Sequence, residues 1–504
     1  MHDIADAAFR IAGKQERSMT KYRFILALIN TLMCLGAGRI TAAQTPESAT
    51  TMPEPRPEIM LLRYEEDWSP LRDARLRTDW LDSLKYIPIP SSGTGHYISV
   101  GGEFRGVYER IQNNNWDPAP YATNYFGLER YQLHADIHAI PHIRFFIQLE
   151  SGQEQGEQGG PRPIDKKNLD FLNAFIDIYG RSKPRQTTLR AGRQELNFGS
   201  GRLVAVREGP NVRQGFYGVR LSQQLNQWTF DTFAVRPAED QPGFFDNVPL
   251  HTISFWGAFT ERLTSGTTPH ALDLYYFGLE RKSATFNQGT APEQRQTIGT
   301  RFATTETQLS DQRALIPHYD VEAAYQFGSF GQGSIRAWTI ASEAGYMMPK
   351  LIGKPRVGFR ADLSSGDKDS KISNLQTFNP LFPIGNYFGV LADTGPGPVN
   401  FVDVHPEIKT TLPHGISLDV DWVIWWRESL HDGVYGVPGN LLVSAGQSNA
   451  RFVGHRPGIQ ARWQRDSHFY FQADYGVFYA GPFLRESERP HNLNYTSFWT
   501  GYKF

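Results

Sequence analysis

One glycine-rich stretch of the chain, residues 192–213, is crowded with arginines. Its guanidinium groups belong to Arg193, Arg202, Arg207 and Arg213. A guanidinium presents its N–H groups as a rigid fork that fits a carboxylate with two parallel hydrogen bonds. The stretch therefore predicts a constriction that binds carboxylates, provided that it folds into a water-filled space. An exposed loop with incidental arginines is the alternative.

Other residues that could carry chemistry form no recognisable catalytic or metal-binding pattern. None of the histidines lies in a hydrolase motif, so the sequence predicts no enzyme. Asp367 and Asp369 lack the spacing and the closing glutamate of an EF-hand, which favours a solvated loop over a calcium site. Cys34, the only cysteine, lies in an N-terminal apolar segment, which leaves no Cys metal site. We expect neither a cofactor nor a metal.

The elements that must position these arginines are predicted to be β-strands with two different faces. Apolar and polar residues alternate over 130–139, 143–150, 319–327, 416–427 and 468–479. Successive side chains of a strand point to opposite faces, so each segment has one apolar and one polar face. Past residue 40 the sequence contains no run of about 18 apolar residues, so any membrane crossing must use strands.

The connections distinguish a membrane barrel from a soluble sandwich, which would show the same alternation. Tight joins occur near residues 141, 413 and 466, and each is flanked by long connections, such as 151–168 and 428–451. Short turns on one rim and long loops on the other are typical of bacterial outer-membrane barrels. We predict an all-β fold: a single transmembrane antiparallel barrel of about 18 strands over residues 97–504, with both termini periplasmic.

Alternation also places charged residues on the inner face of the predicted barrel. Arg105, Arg144, Arg360 and Arg462 fall on the polar faces of four different strands. Cationic groups around an aqueous lumen favour anions, while interspersed carboxylates keep the anions from being trapped. The alternative is that these charges pair with one another around a wide pore.

The first 96 residues carry targeting and linking signals. Basic residues precede the apolar stretch 24–38, and small residues follow it up to Ala43. We therefore predict that residues 1–43 are an N-terminal extension and signal peptide, with the start at Met19 and cleavage near Ala43. A membrane anchor with a cytoplasmic tail is the alternative. The proline-rich residues 44–96 are predicted to be a periplasmic lead-in that touches a partner or plugs the mouth of the barrel.

Six short motifs are distributed along residues 60–504. They are RYEEDW at 63–68, LKYIP at 84–88, GGEFR at 101–105, GRQEL at 192–196, REGPNVR at 207–213 and FNPLFP at 378–383. In these motifs the chain resembles the alginate export family of outer-membrane proteins, as a broad family rather than its dedicated alginate exporter. The resemblance implies an 18-stranded monomeric barrel, an arginine-rich conduit through which an acidic polysaccharide leaves the cell, and loops that act as a gate.

Residues and resemblance together predict an outer-membrane channel that exports an anionic, alginate-like polysaccharide. We expect the following side chains to line its path: Arg105, Arg144, Arg193, Arg202, Arg207, Arg213, Arg360 and Arg462. A general or anion-selective diffusion porin for small sugar acids is the alternative. The expected partners are outer-membrane lipid, the polysaccharide, and periplasmic proteins of polysaccharide synthesis or secretion. A nucleic acid is not expected, because 51 basic residues are balanced by 52 acidic ones.

Overall fold

The computed structural model describes most of the chain beyond the predicted signal peptide. The described residues are 56–90, 95–180, 185–266, 269–305, 313–369, 371, 373–389, 394–446 and 448–504. They belong to one compact unit, Pro55–Phe504. The predicted start at Met19 and the predicted cleavage near Ala43 lie outside the described residues.

Eighteen long antiparallel strands form a closed ring. They are β1 (Tyr97–Gln112), β2 (Thr123–Ile140), β3 (Ile143–Gln155), β4 (Lys167–Tyr179), β5 (Thr187–Gln194), β6 (Phe216–Leu225), β7 (Trp228–Glu239), β8 (Ile253–Leu263), β9 (His270–Phe286), β10 (Gly289–Thr304), β11 (Ile316–Phe330), β12 (Gly333–Met347), β13 (Arg356–Ser364), β14 (Phe401–Leu412), β15 (Ile416–Arg427), β16 (Phe452–Gln464), β17 (Phe469–Ala480) and β18 (Leu493–Lys503). Each strand pairs with its neighbours in sequence, and β1 pairs with β18 from Glu103 opposite Lys503 to Gln112 opposite Asn494. The prediction of an all-β, 18-stranded antiparallel barrel is confirmed.

Short helices, 3-10 turns and two short strands accompany this ring. The helices are α1 (Asp82–Lys85) and α2 (Pro482–Glu486), and the 3-10 turns are Arg63–Glu65, Ser69–Arg72, Ala74–Leu76, Asn114–Trp116 and Pro413–Gly415. Two short strands, Ile87–Pro88 and Val248–Pro249, pair onto the ring without joining it. In the part of the chain that the structure describes, no helix has the length and the apolar character needed to cross a membrane.

Side chains alternate between two environments along the strands. In β2, Tyr131 and Leu133 are 45% and 50% exposed on the outer face, whereas Arg130, Gln132 and His134 are buried inside. Exposed valine, isoleucine, phenylalanine and tyrosine side chains continue this outer belt on the other strands. An apolar outer belt is what strands present where they cross lipid.

The two rims of the barrel have different connections. Tyr97 and Lys503 lie at the same rim, here named the terminal rim, because an even number of antiparallel strands returns the chain to its starting side. Tight turns at this rim include residues 141–142, 226–227 and 413–415. The opposite rim, named the far rim, carries most of the long connections. Two connections of the far rim are short: the two-residue turns between β9 and β10 and between β11 and β12.

Three connections of the far rim fold into the barrel. We name residues 195–215 the transverse segment, the described part of residues 365–400 the inner loop, and the described part of residues 428–451 the inner hairpin, whose strands are Val434–Tyr435 and Leu441–Val443. The backbone N–H of Ala205 donates to Phe382 O at 2.9 Å, and the N–H of Phe382 donates to Leu203 O at 2.9 Å. The N–H of Gly397 donates to Tyr435 O at 2.7 Å. These hydrogen bonds join all three pieces inside the ring.

An aromatic core fixes the transverse segment against the wall. Phe198 stacks on Phe233 of β7 and on Phe259 of β8, with ring centroids 5.3 and 5.1 Å apart. Phe382 of the inner loop packs edge-on against Phe216 at 5.1 Å. Buried aromatic pairs of this kind add stabilisation to the apolar area that they remove from water. The lumen therefore contains a packed core on this side.

Candidate functional site

The transverse segment is tied to two different walls of the barrel. On one side, Arg202 Nη1 donates to Asp320 Oδ1 of β11 at 2.9 Å. On the other side, the guanidinium of Arg105 in β1 donates to the backbone oxygens of Glu208 and Pro210. The segment thus runs across the lumen between β11 and β1.

Glu208 lies at the centre of a cluster of arginines. Arg130 Nη2 donates to Glu208 Oε1 at 2.6 Å, and Arg213 Nη1 lies 3.4 Å from Glu208 Oε2. Although burial opposes ionisation, these guanidinium groups hold the pKa of the Glu208 carboxyl well below its usual range. Arg130 and Arg213 also reach Glu103 and Glu195, respectively, at 2.8 Å. The positive charge of this cluster is therefore largely compensated.

Three further arginines of the predicted path are paired with wall carboxylates. Arg144 makes a two-pronged contact with Asp136, at 2.6 and 2.8 Å. Arg193 Nη1 donates to Asp170 Oδ1 at 3.1 Å. Arg360 lies 3.0 Å from a carboxylate oxygen of Glu343 and 3.3 Å from one of Glu407. The charge ladders that the sequence left open as an alternative are thus present at these three arginines.

Arg207 and Arg462 differ from the other arginines of the predicted path. Both are half-buried, and among the described residues neither has a carboxylate at ion-pair distance. Among the same residues Arg105 also lacks a carboxylate at that distance, but it is fully buried and donates to backbone oxygens. Burial lowers the pKa of Arg207, an effect that Asp240 opposes, but a guanidinium remains charged in proteins. Within the described part of the chain, Arg462 donates to two side-chain amides, to Gln472 at 3.3 Å and to Gln464 at 3.2 Å. These two cations are the ones best able to meet an anion in the lumen.

The lead-in, here residues 56–90, enters the terminal rim. Arg63 donates to the backbone oxygens of Gly102 at 3.1 Å and Phe504 at 2.5 Å, which are residues of the closing seam between β1 and β18. The Tyr64 hydroxyl donates to Glu195 O of the transverse segment at 2.8 Å. Arg144 Nη2 donates to Tyr64 O at 2.7 Å. The lead-in therefore fills part of the lumen and contacts the transverse segment.

Sequence reasoning missed two participants in this arrangement. Alternation places Arg130 on the inner face, but nothing in the sequence marks it as the partner of Glu208. The contact of Tyr64 with Glu195 joins residues far apart in the chain. Both contacts depend on long-range folding, so local periodicity carries no signal for them.

A family model described as alginate export matches residues 96–497. The chain belongs to the alginate export family. Its fold and family are those of outer-membrane transport channels, so the barrel spans the outer membrane. No curated protein matches the sequence.

Several solved structures are similar to this chain. Acinetobacter baumannii OccAB3 aligns with a TM-score of 0.55 and 11% identity, over 81% of this chain and 99% of that one. Pseudomonas aeruginosa OccK9 (OpdG) aligns with a TM-score of 0.54 and 9% identity, over 81% and 98%. Pseudomonas aeruginosa OccK2 (OpdF), solved in complex with glucuronate, gives 0.52 and 9%, over 81% and 98%. At these identities the likeness shows the fold alone.

Proposed function

We propose that the barrel conducts sugar acids across the outer membrane and that Arg207 is the cation they meet in the constriction. The observation that carries this proposal is the state of Arg207 within the transverse segment. Arg202 and Arg213 of the same segment are neutralised by carboxylates, whereas Arg207 has none at ion-pair distance among the described residues. A half-buried, uncompensated cation inside a barrel attracts anions strongly because low-dielectric walls focus its field.

The attachments of the transverse segment favour small solutes over a polymer. The segment is bound at Arg202 on one wall and at Glu208 on the other, and its core aromatics are buried. Breaking one buried ion pair alone costs about 3–5 kcal/mol. A monomeric sugar acid could pass beside the segment without displacing it. The complex of OccK2 (OpdF) with glucuronate, a barrel of the same fold, supports glucuronate as the first ligand to test.

Export of an alginate-like polysaccharide is the second candidate, and the family match over residues 96–497 favours it. This function needs the transverse segment to swing out of the lumen. It also needs periplasmic proteins that deliver the polymer, and both chain termini on the periplasmic side. A monomer embedded in outer-membrane lipid suffices for either candidate.

Planar lipid bilayers containing the purified barrel test the proposal. We expect anion-selective current that glucuronate reduces, and we expect Arg207→Ala to shift the reversal potential toward equal permeability of both ions. Arg465→Ala, which removes an exposed arginine from the turn before β17, is the matched control. Cation selectivity in the wild-type barrel, or equal effects of the two substitutions, would contradict the proposal. Oligouronates of increasing length separate the candidates, because only polymer export predicts passage of the long ones.

A further inference from the structure

Strands β16, β17 and β18 bring two rows of polar and aromatic side chains together on the lumenal wall. Arg462, Gln472 and Trp499 are directly opposed across the three strands, and Gln460, Asp474 and Ser497 form the adjacent row. Because residues two apart in a strand share a face, both rows point the same way. Asp474 and Ser497 are buried in the wall. The half-buried side chains are Arg462, Gln460, Gln472 and Trp499.

Hydrogen bonds fix these side chains in one arrangement. Gln460 and Gln472 both donate to the carboxylate of Asp474, at 2.9 and 3.0 Å. The hydroxyl of Ser497 donates to the same carboxylate at 2.8 Å, and Trp499 Nε1 donates to Ser497 Oγ at 2.7 Å. Asp474 is thus occupied by amide and hydroxyl donors and leaves Arg462 uncompensated.

The guanidinium of Arg462 lies over an aromatic ring, which fixes its position. Its guanidinium lies 4.0 Å from the ring centroid of Tyr470, and two amide oxygens accept its N–H groups. Amide oxygens bind a guanidinium more weakly than a carboxylate does, so an incoming carboxylate can replace them. Gly501 makes room for this stack, because a Cβ there would meet the Tyr470 ring at 2.1 Å.

We propose that this wall carries a sugar-acid binding site formed by Arg462, Gln460, Gln472 and Trp499. The fork of Arg462 takes the carboxylate, and the two amide side chains take ring hydroxyls. The Arg105 guanidinium lies 4.9 Å from the Trp499 ring centroid, so the sugar ring packs its apolar face on the part of Trp499 that remains exposed. A charged fork, orienting amides and an aromatic surface in one concave wall are the parts that a small-molecule site needs. This site rests on the proposed conduction of sugar acids, and it is the place on the wall where they bind during passage.

Current interruptions by D-galacturonate and by neutral D-galactose in planar bilayers test the site in the intact barrel. Arg462→Gln should raise the apparent Kd of galacturonate about tenfold or more, because it removes charge-assisted hydrogen bonds, and should leave galactose unchanged. Trp499→Leu should raise the Kd of both sugars about threefold to tenfold. Arg462→Lys keeps the charge without the fork and should fall between wild type and Arg462→Gln.

Matched controls lie next to the site. Arg465→Gln changes an exposed arginine of the following turn, and Trp463→Leu changes a tryptophan that is 42% exposed on the outer face. A shift of gel mobility on heating shows that each variant has folded. Unchanged galacturonate affinity in folded Arg462→Gln and Trp499→Leu barrels would overturn the site, and so would an anion-selective wild type that galacturonate never interrupts. A wild-type barrel that is not anion-selective would instead contradict the proposed function. The galacturonate measurements alone would then decide whether the binding site exists.

Discussion

At the scale of single residues, burial decides which cations of this barrel remain available. Arg130 and Arg213 are almost wholly buried and have carboxylate partners, because an unpaired charge in a low-dielectric interior costs several kcal/mol. Arg207 and Arg462 keep part of their surface exposed and need no such partner. Arg213 was grouped with Arg207 and Arg462 in the predicted path, because the sequence does not show whether a carboxylate faces an arginine.

Lys85 in the lead-in predicts a pH dependence. Its side chain is 1% exposed, and burial together with the nearby Arg63 lowers its pKa to about 7. Below that pKa the docked and the released lead-in both carry the proton, and the full penalty for burying the charge applies. Between pH 7 and about 10, only the released form binds the proton, so docking strengthens as pH rises. The gain is at most about 1.4 kcal/mol per pH unit.

A fluorophore on Arg75→Cys, an 89% exposed side chain of the lead-in, measures this docking in the mature barrel, because the predicted cleavage near Ala43 removes Cys34, the only native cysteine. We expect its anisotropy to rise between pH 7 and pH 9.5. Lys85→Met lacks the titrating group and should show no such rise. The same pH response in both proteins would contradict the role of Lys85.

At the scale of elements, the transverse segment depends on Glu208. Glu208→Gln removes a charge that pairs with both Arg130 and Arg213, which keep Glu103 and Glu195 as their remaining carboxylate partners. Because the Glu208 side chain is 34% exposed and both arginines keep a second carboxylate, the free energy that holds the segment in the lumen should fall by about 1–3 kcal/mol, less than for a wholly buried pair. In single-channel recordings we expect frequent transitions to a larger conductance. Glu488→Gln, a change of an exposed glutamate after α2, should leave the recordings unchanged. If the Glu208→Gln barrel showed no more conductance transitions than wild type, the segment would be held by its aromatic core instead.

The strands were predictable from sequence because period two is a local property. Residues 130–139 and 468–479 lie in β2 and around β17, with the predicted faces. Most of the rim pattern followed as well, but the two-residue turns after β9 and β11 did not. Gly331, with a φ of 55°, allows one of these tight turns without a long loop.

At the scale of the whole molecule, the barrel wall was predictable and its filled interior was not. Wall strands repeat one pattern, and closure follows from pairing β1 with β18. The transverse segment, the inner loop and the lead-in have no repeating pattern, and they meet one another through contacts such as Ala205 with Phe382. The predicted conduit residues were placed on the lumenal side, but which of them carry uncompensated charge depended on these long-range contacts.

The outer belt predicts how the barrel responds to a charge at different depths. Leu133 lies within β2, 50% exposed on the outer face, and Ile140 lies at the end of the same strand, 48% exposed. Because the belt crosses lipid, Leu133→Arg should cost about 2–4 kcal/mol of unfolding free energy and Ile140→Arg about 0–1 kcal/mol, since a guanidinium near the rim reaches water. Urea unfolding in lipid vesicles measures both values against wild type. Equal costs would mean that Leu133 and Ile140 lie at the same effective depth, and the hydrocarbon boundary would then have to be placed elsewhere on the wall.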